Sequence, residues 1–182
     1  MTKLFKILCI LAAPFAVMAA DSPLAGQAKT ADPGGLKPSG TEPSTASQAY
    51  RVLTGQSIAE TIKNLQSANK TEDLMSGGGI GCRVFVQHEK DAASGVAEVH
   101  DATDDIFLIM EGTATLTLGG KLDSPKQTQP GEWRAEGITG GRDFQLRKGD
   151  IIVVPRGTPH RRVTPGQEVT LMIIKAFSPK PI

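Results

Sequence analysis

The chain has 182 residues, and its 20 lysines and arginines against 19 acidic residues give a formal charge of +1. This length suits one folded domain with extensions, and the balanced charge excludes a broad nucleic-acid-binding surface. The composition of 20 glycines, 12 prolines and 4% aromatic residues favours a turn-rich, all-β protein.

The N-terminal segment MTKLFKILCILAAPFAVMAA (residues 1–20) has the pattern of a secretory signal peptide. Lys3 and Lys6 precede an apolar stretch from Ile7 to Val17, and small residues follow. That stretch is shorter than a membrane span, so no stable membrane insertion is expected after cleavage. The alternative is a retained N-terminal anchor. We therefore expect an exported protein, periplasmic or extracellular.

The remaining chain divides into three parts by composition. Residues 21–48 are rich in Pro, Gly, Ser and Thr and contain few large apolar residues, which predicts a flexible linker. Residues 49–80 are predicted to form a helical lead-in. Residues 81–178 read as short strands separated by turns. The folded domain is therefore expected in the C-terminal half of the chain.

The lead-in contains one predicted helix, in the sequence TGQSIAETIKNLQSANK. Ile58, Ile62 and Leu65 form an apolar stripe at helical spacing. Ser57 and Glu60 fit the S-x-x-E capping box that begins many helices. We expect the stripe to pack against the β domain.

The β region is predicted to contain eight short strands. Turn sequences such as Gly119-Gly120 and Pro165-Gly166 separate them, and no helix is predicted between them. Short strands at this spacing favour a sandwich or a closed barrel. The predicted strands are Cys82–His88, Val96–His100, Ile106–Glu111, Thr113–Leu118, Phe144–Arg147, Ile151–Val154, Arg161–Thr164 and Val169–Phe177.

The stretch EVHDATDD places an imidazole among carboxylates. Glu98 and His100 are two residues apart in a strand, so their side chains face the same side. A short turn then brings Asp105 to the start of the next strand. Imidazole and carboxylate ligands together suit a divalent metal ion. Taken by itself, this stretch is equally compatible with a hydrogen-bonded histidine beside a solvated acidic turn.

A second stretch, GDIIVVPRGTPHRRV (residues 149–163), ends near His160. Together the two stretches resemble the cupin superfamily, whose motifs read G-x5-H-x-H-x(3,4)-E-x6-G and G-D-x3-P-x-G-x2-H-x3-N. The first motif here runs from Glu98 to Gly112. The second runs through Gly149, Asp150, Pro155, Gly157 and His160, with one extra residue before the proline.

The resemblance implies a jelly-roll β-barrel that holds a divalent metal through three histidines and a glutamate. His100 and His160 match two of those histidines. Asp105 takes the place of the glutamate, and Glu98 takes the place of the first histidine. The implied metal ligands are thus His100, Asp105, His160 and Glu98, and the ion could be manganese, iron, zinc or nickel. The alternative is a barrel that has lost its metal.

Two further positions depart from the motifs, and several others are candidates for the pocket. Ala92 replaces the early glycine and Thr164 the final asparagine. Arg162, two residues after His160, is expected to face into the barrel, where it would anchor an anion or lie solvated at the mouth. Phe107 and Ile109 are expected to form the pocket wall. Trp133 lies in a long insertion between the two motifs. It would either cover the pocket as part of a lid or anchor the insertion to the rest of the domain.

The first functional hypothesis is an exported monocupin that binds a divalent metal and a small anionic or oxygen-rich ligand. It would act as a metal-dependent oxygenase or isomerase, with Glu98 moving a proton. The alternative is a non-catalytic module that binds a small molecule or carbohydrate. A third option is a structural domain in a larger assembly. The resemblance to cupins implies that such a domain could form a homodimer through its outer strands.

Overall fold

The computed structural model describes residues 50–66, 68–77 and 80–177. The predicted signal peptide (1–20), the linker (21–48) and residue 178 lie outside these ranges. No helix within them is long and apolar enough to cross a membrane. The elements are α1 (Gly55–Leu65), β1 (Lys70–Met75), β2 (Cys82–Lys90), β3 (Ala97–His100), β4 (Thr103–Leu118), β5 (Lys121–Leu122), β6 (Lys126–Gln129), β7 (Glu132–Ala135), β8 (Ile138–Thr139), β9 (Arg142–Arg147), β10 (Ile151–Val154), β11 (His160–Val163) and β12 (Glu168–Phe177).

Two antiparallel sheets share strand β4. One sheet has the order β1-β2-β12-β4-β10, and the other has the order β9-β4-β11-β3-β7-β6. A small ribbon, β5 with β8, stands apart from both. The prediction of an all-β jelly roll is confirmed, because non-consecutive strands pair across two sheets that face each other.

Strand β4 changes sheets at Gly112. The sequence predicted two strands here, but the structure has one 16-residue strand. Its first half pairs with β12, and its second half pairs with β9 and β11. Gly112 has φ +75°, and a Cβ atom there would lie 2.0 Å from the carbonyl oxygen of Glu168. Only glycine combines that backbone with so close an approach.

The main core lies between the two sheets. Phe107 and Ile109 on β4 are each 1% exposed, and they pack against inward side chains from β12. Alternation along the strands creates this core, since every second residue faces it. Its members are Phe85, Phe107, Ile109, Ala114, Leu116, Leu146, Val154, Val169, Leu171 and Ile173.

Helix α1 covers the outer face of the first sheet. Ile62 and Leu65 are buried against Val84, Val86 and Met172, which confirms the predicted packing of the apolar stripe.

The predicted capping box is wrong, because the helix begins one turn earlier. Thr54 is its N-cap, and its Oγ1 accepts a hydrogen bond from the backbone N–H of Ser57 at 3.2 Å. Threonine, like serine, has a side-chain oxygen that can accept a hydrogen bond from the first backbone N–H groups of a helix. Thr54 therefore provides the cap that the sequence pattern had assigned to Ser57.

Two regions contain strands that the sequence analysis did not predict. Strand β1 lies in the expected helical lead-in and pairs with β2 although it is mostly exposed. The insertion between the two motifs forms β6, β7 and the β5–β8 ribbon. Strand β7 pairs with β3, so the insertion extends the sheet that holds His100.

Candidate metal centre

The two motif histidines meet inside the fold. His100 ends β3 and His160 begins β11, and both are almost fully buried. Their ring centroids lie 5.3 Å apart. Adjacent strands bring them together, because His160 pairs directly with Glu98 across β11 and β3. The two motifs therefore converge in the structure, as the sequence predicted.

Two carboxylates complete the cluster. An oxygen of Glu98 lies 3.2 Å from His160 Nε2 and 3.8 Å from His100 Nε2. An oxygen of Asp105 lies 3.4 Å from His100 Nε2 and 3.7 Å from His160 Nε2. One ligand atom from each residue falls within 4.8 Å of all the others. All four predicted metal ligands are thus neighbours.

Hydrogen bonds orient both imidazole rings. His160 Nδ1 lies 3.0 Å from the carbonyl oxygen of Thr158, which can only accept, so Nδ1 carries the hydrogen. In the neutral ring, His160 Nε2 then presents a lone pair, and this buried atom has no hydrogen-bond partner among the residues that the structure describes. His100 Nδ1 lies 2.7 Å from Glu132 Oε2, a carboxylate that fixes the ring in the same way. Both Nε2 atoms therefore face the two carboxylates.

These donors fit a divalent ion. With bonds of about 2.1 Å, neighbouring ligands on one ion lie about 3.0–3.4 Å apart. The separations of 3.2–3.8 Å between imidazole and carboxylate atoms are close to that range. The unpartnered lone pair of His160 is the group that an ion would satisfy. Two imidazoles with two carboxylates suit manganese, iron, nickel or zinc.

Lys175 is a fifth member of the cluster, and the sequence analysis missed it. Its Nζ lies 2.9 Å from both oxygens of Asp105 and 2.9 Å from His100 Nε2. Lys175 stands directly opposite Asp105 in the pairing of β12 with β4. The only sequence signal is that one lysine interrupts the apolar stretch VTLMIIKAF.

The cluster shifts the pKa values of its members strongly. Burial lowers the pKa of His100, but hydrogen bonds to Asp105 and Glu98 outweigh it and raise the pKa to about 9. Burial favours neutral acids, yet the adjacent rings of His100 and His160 hold the pKa of Glu98 far below its usual range. Burial likewise opposes ionisation of Asp105, but His100 and Lys175 lower its pKa. Both carboxylates are therefore ionised and available to a cation.

Strand β7 contributes side chains that the sequence analysis did not assign to the site. Glu132 lies opposite His100 and Arg134 lies opposite Glu98. Arg134 Nη2 contacts Glu98 at 3.1 Å and Glu132 at 3.3 Å. Between them Trp133 faces the other way, and its Nε1 donates to Asp101 Oδ2 at 2.9 Å. Trp133 thus packs the insertion down, which was one of its two predicted roles.

Glu132→Gln should weaken divalent-metal affinity by about 10- to 100-fold. The carboxylate of Glu132 holds the ring of His100 and increases the basicity of its Nε2, and an amide does both less well. Competition with a chromophoric chelator measures the change. Glu136→Gln is the matched control, because Glu136 is exposed on the same insertion. Equal affinities in the two variants would contradict this role.

A cavity of about 370 Å³ is lined by three of the four candidate ligands, Glu98, Asp105 and His160. Arg162 and Phe107 line it, as expected, and the Arg162 guanidinium lies 5.5 Å above the Phe107 ring. Ile109 does not line it and belongs to the core instead. Arg162 makes two 2.8 Å bonds to the carboxylate of Glu89, which compensates its charge. The lining is Phe85, Gln87, Glu89, Ala92, Gly95, Val96, Glu98, Asp105, Phe107, Arg134, His160, Arg162, Ile173 and Lys175.

The two departures from the motifs meet at the edge of this cavity. The backbone N–H of Ala92 donates to Thr164 Oγ1 at 2.9 Å, and the backbone N–H of Thr164 donates to the carbonyl of Ala92 at 2.9 Å. Thr164 is fully buried. These residues therefore tie two loops together and leave the ligand set unchanged.

His88 lies on the other side of the first sheet. Its neighbours Gln87 and Glu89 line the cavity, so alternation along β2 turns His88 toward the opposite face. It is 2% exposed, and its Nδ1 lies 2.9 Å from Thr170 Oγ1. His88 is therefore a core histidine and not a ligand of this site.

An ion pair holds the loop that leads to His160. Arg156 donates to Asp104 through Nε at 3.0 Å, through Nη2 at 2.7 Å and through its backbone N–H at 2.8 Å. These bonds hold the pKa of Asp104 below its ordinary value of 3.8. The loop is further anchored by the backbone N–H of Gly157, which donates to the carbonyl of His100 at 2.8 Å.

Asp104→Asn should lower the melting temperature, by an amount that depends on pH. Because the folded pKa of Asp104 lies below 3.8, its stabilising effect is complete above that value. The effect is lost as pH falls through the folded pKa. Thermal unfolding of both proteins from about pH 6 to about pH 2 should show the difference shrinking in acid. A difference that stays constant with pH would contradict this account.

Comparisons with known proteins agree with the architecture. A family model described as a JmjC domain matches residues 57–180. A solved protein from Bacillus halodurans is 16% identical, covers 72% of this chain and 85% of its own, and has a TM-score of 0.51. A cupin-2 domain containing protein from Shewanella frigidimarina is 16% identical over 65% and 91% of the two chains, with a TM-score of 0.45.

A third similar structure is the DMSP lyase DddQ from Ruegeria pomeroyi, 15% identical over 63% of this chain, with a TM-score of 0.45. The chain spans 49% of that lyase, about half its length. No curated protein matches the sequence significantly. Likeness at these identities concerns the fold alone. Because the family model covers more than half of the sequence, the chain belongs to the JmjC-domain family.

Proposed function

We propose that this domain binds one divalent metal ion through His100, His160, Asp105 and Glu98, together with a small anionic ligand. The observation that carries the proposal is the buried Nε2 of His160. In the part of the chain that the structure describes, this atom has no hydrogen-bond partner, and it faces the three other donors. A buried acceptor without a partner is costly, and a metal ion would remove that cost.

The charges around the cavity support an anionic ligand. Three carboxylates (Glu89, Glu98 and Asp105) and three cations (Arg134, Arg162 and Lys175) line it, so their formal charges cancel. A divalent ion would give the lining a net charge of about +2. A small carboxylate or another oxygen-rich anion would compensate that charge. The volume of about 370 Å³ suits a small molecule.

We further propose that the ligand reacts in this cavity, by an oxygenase or isomerase type of reaction. A bound divalent ion would polarise a ligand oxygen as a Lewis acid. Phe107 excludes water from one wall, and Arg134 and Lys175 would hold an anionic group. Glu98, whose side chain is 30% exposed, remains the predicted group for proton transfer. Its strongly lowered pKa makes it a weak base while it contacts both histidines.

Metal uptake tests the proposal. The wild-type protein, incubated with manganese, iron, zinc or nickel and then dialysed, should retain about one equivalent of at least one ion. The His100→Ala/His160→Ala double variant should retain less than about a tenth of that. His88→Gln is the control, because it changes the remaining histidine outside the site. Uptake by the double variant equal to that of the wild type would contradict the proposal.

Ligand binding distinguishes the metal-centred function from a binding module that does not need the metal. In the proposed function, oxalate or citrate raises the melting temperature of the metal-loaded wild type and leaves the metal-free double variant unchanged. Equal stabilisation of both proteins would favour the module. We also propose export, on the strength of the N-terminal pattern, and the homodimer remains a prediction.

A further inference from the structure

Lys175 occupies the space between the candidate ligands. Its ammonium nitrogen lies 2.9 Å from both oxygens of Asp105 and 2.9 Å from His100 Nε2. The two oxygens of Asp105 are acceptors that a metal ion would need. The lysine side chain is 20% exposed, whereas that of Asp105 is 2% exposed. The contact is therefore largely shielded from water.

The ammonium group and a metal ion cannot use these acceptors at the same time. An ion about 2.1 Å from His100 Nε2 and from Asp105 would lie within about 3 Å of Nζ in its present position. Two cations at that distance in a buried site repel each other strongly.

We propose that Lys175 is an intramolecular competitor of the metal ion. It compensates Asp105 in the metal-free domain, and it withdraws when an ion binds. This inference rests on the proposed metal site. Lys175 would then set how strongly an ion must bind in order to enter, since the ion must replace the two charged hydrogen bonds from Lys175 to Asp105.

The surroundings leave room for the withdrawal. Lys175 lines the ligand cavity and also a second cavity of about 360 Å³. Glu132, which supports His100, lines that second cavity. A lysine side chain is long and flexible enough to move its ammonium without displacing the backbone. The backbone of β12 can therefore keep its pairing with β4 in both states.

The cluster also explains why the metal-free domain tolerates these carboxylates. Asp105 is 1% exposed, and an ionised carboxylate at that depth needs a compensating cation. Lys175 and the nearby Arg134 provide compensation for Asp105 and Glu98 respectively. Removal of the lysine should thus destabilise the metal-free state and leave the metal-bound state with all its ligands.

Metal affinity of Lys175→Met tests the inference. Isothermal titration with Mn²⁺ and with Zn²⁺ should give an affinity about tenfold or more higher than that of the wild type. The metal-free variant should melt at a lower temperature and show a larger increase on metal addition. Lys148→Met, an exposed substitution with the same charge change, should bind as the wild type does.

Two outcomes separate this inference from the function on which it rests. Equal or weaker binding by Lys175→Met, with normal uptake by the wild type, would overturn the competition alone. Absence of uptake by both proteins would overturn the metal site and the competition with it. Binding by the variant but not by the wild type would support the inference. If Lys175→Met fails to fold, Lys175→Gln gives the same comparison with a polar side chain.

Discussion

Gly112→Ala should destabilise the domain by about 3 kcal/mol or more, whereas Gly119→Ala should cost about 1 kcal/mol. Both glycines have φ +75°, so both substitutions force alanine into the left-handed region. The difference lies in the surroundings. A Cβ atom at Gly112 would lie 2.0 Å from the backbone carbonyl oxygen of Glu168, and nothing lies within 4 Å at Gly119.

The larger effect has a structural consequence beyond stability. Relief of the clash at Gly112 requires β4 to move away from β12, and these strands hold Asp105 and Lys175 in direct register. Urea unfolding of the two variants measures the difference in free energy of unfolding. A Gly112→Ala protein as stable as Gly119→Ala would mean that β4 does not change sheets at this residue.

Asp105→Asn should lower divalent-metal affinity by about 100-fold or more. Asp105 is a direct ligand in the proposed site, and loss of a supporting residue alone costs about 10- to 100-fold. An amide oxygen carries no charge and binds a divalent ion more weakly than a carboxylate does. Asp104→Asn is the matched control. It makes the same change of charge one residue away, and the carboxylate that it removes faces Arg156.

Competition with a chromophoric chelator measures both affinities. We expect Asp104→Asn to stay within about threefold of the wild type, because strand alternation turns Asp104 to the face opposite Asp105 and the bond from Gly157 to His100 still anchors the loop. If the two variants lose affinity equally, the loss reflects general charge and not coordination. That result would remove Asp105 from the ligand set.

The four candidate ligands could be identified from the sequence because they lie on short-range motifs that resemble those of a known family. Glu98 and His100 share one face of a strand, and Asp105 follows after a turn of a few residues. His160 came from the second motif, in which glycine and proline positions identify the loop. Such local patterns lie within a few residues of the chain, so they can be recognised without knowledge of the whole fold.

Residues brought in by long-range strand pairing could not be predicted in the same way. Lys175 reaches Asp105, 70 residues away, only because β12 pairs with β4 in one register. Glu132 supports His100 from a strand inside an insertion that the motifs do not include. Hydrophobic alternation does not specify which strands become neighbours, and a shift of one residue would reverse each side chain.

The pocket residues show the same division. Phe107 was correctly placed on the wall of the cavity by its position on β4. Ile109, two residues later on the same face, lies deeper in the core, because strand alternation gives the face of a residue but not its depth. Arg162 faces the cavity as predicted, yet its partner Glu89 could be known only from the pairing of distant strands.

The most direct test of the metal centre is an anomalous difference map from a crystal grown with saturating Mn²⁺ or Zn²⁺. We predict one peak, about 2.0–2.3 Å from His100 Nε2, His160 Nε2 and carboxylate oxygens of Asp105 and Glu98. Lys175 Nζ should have left its position 2.9 Å from Asp105. A map without a peak among these four residues, with Lys175 still in contact with Asp105, would contradict the account.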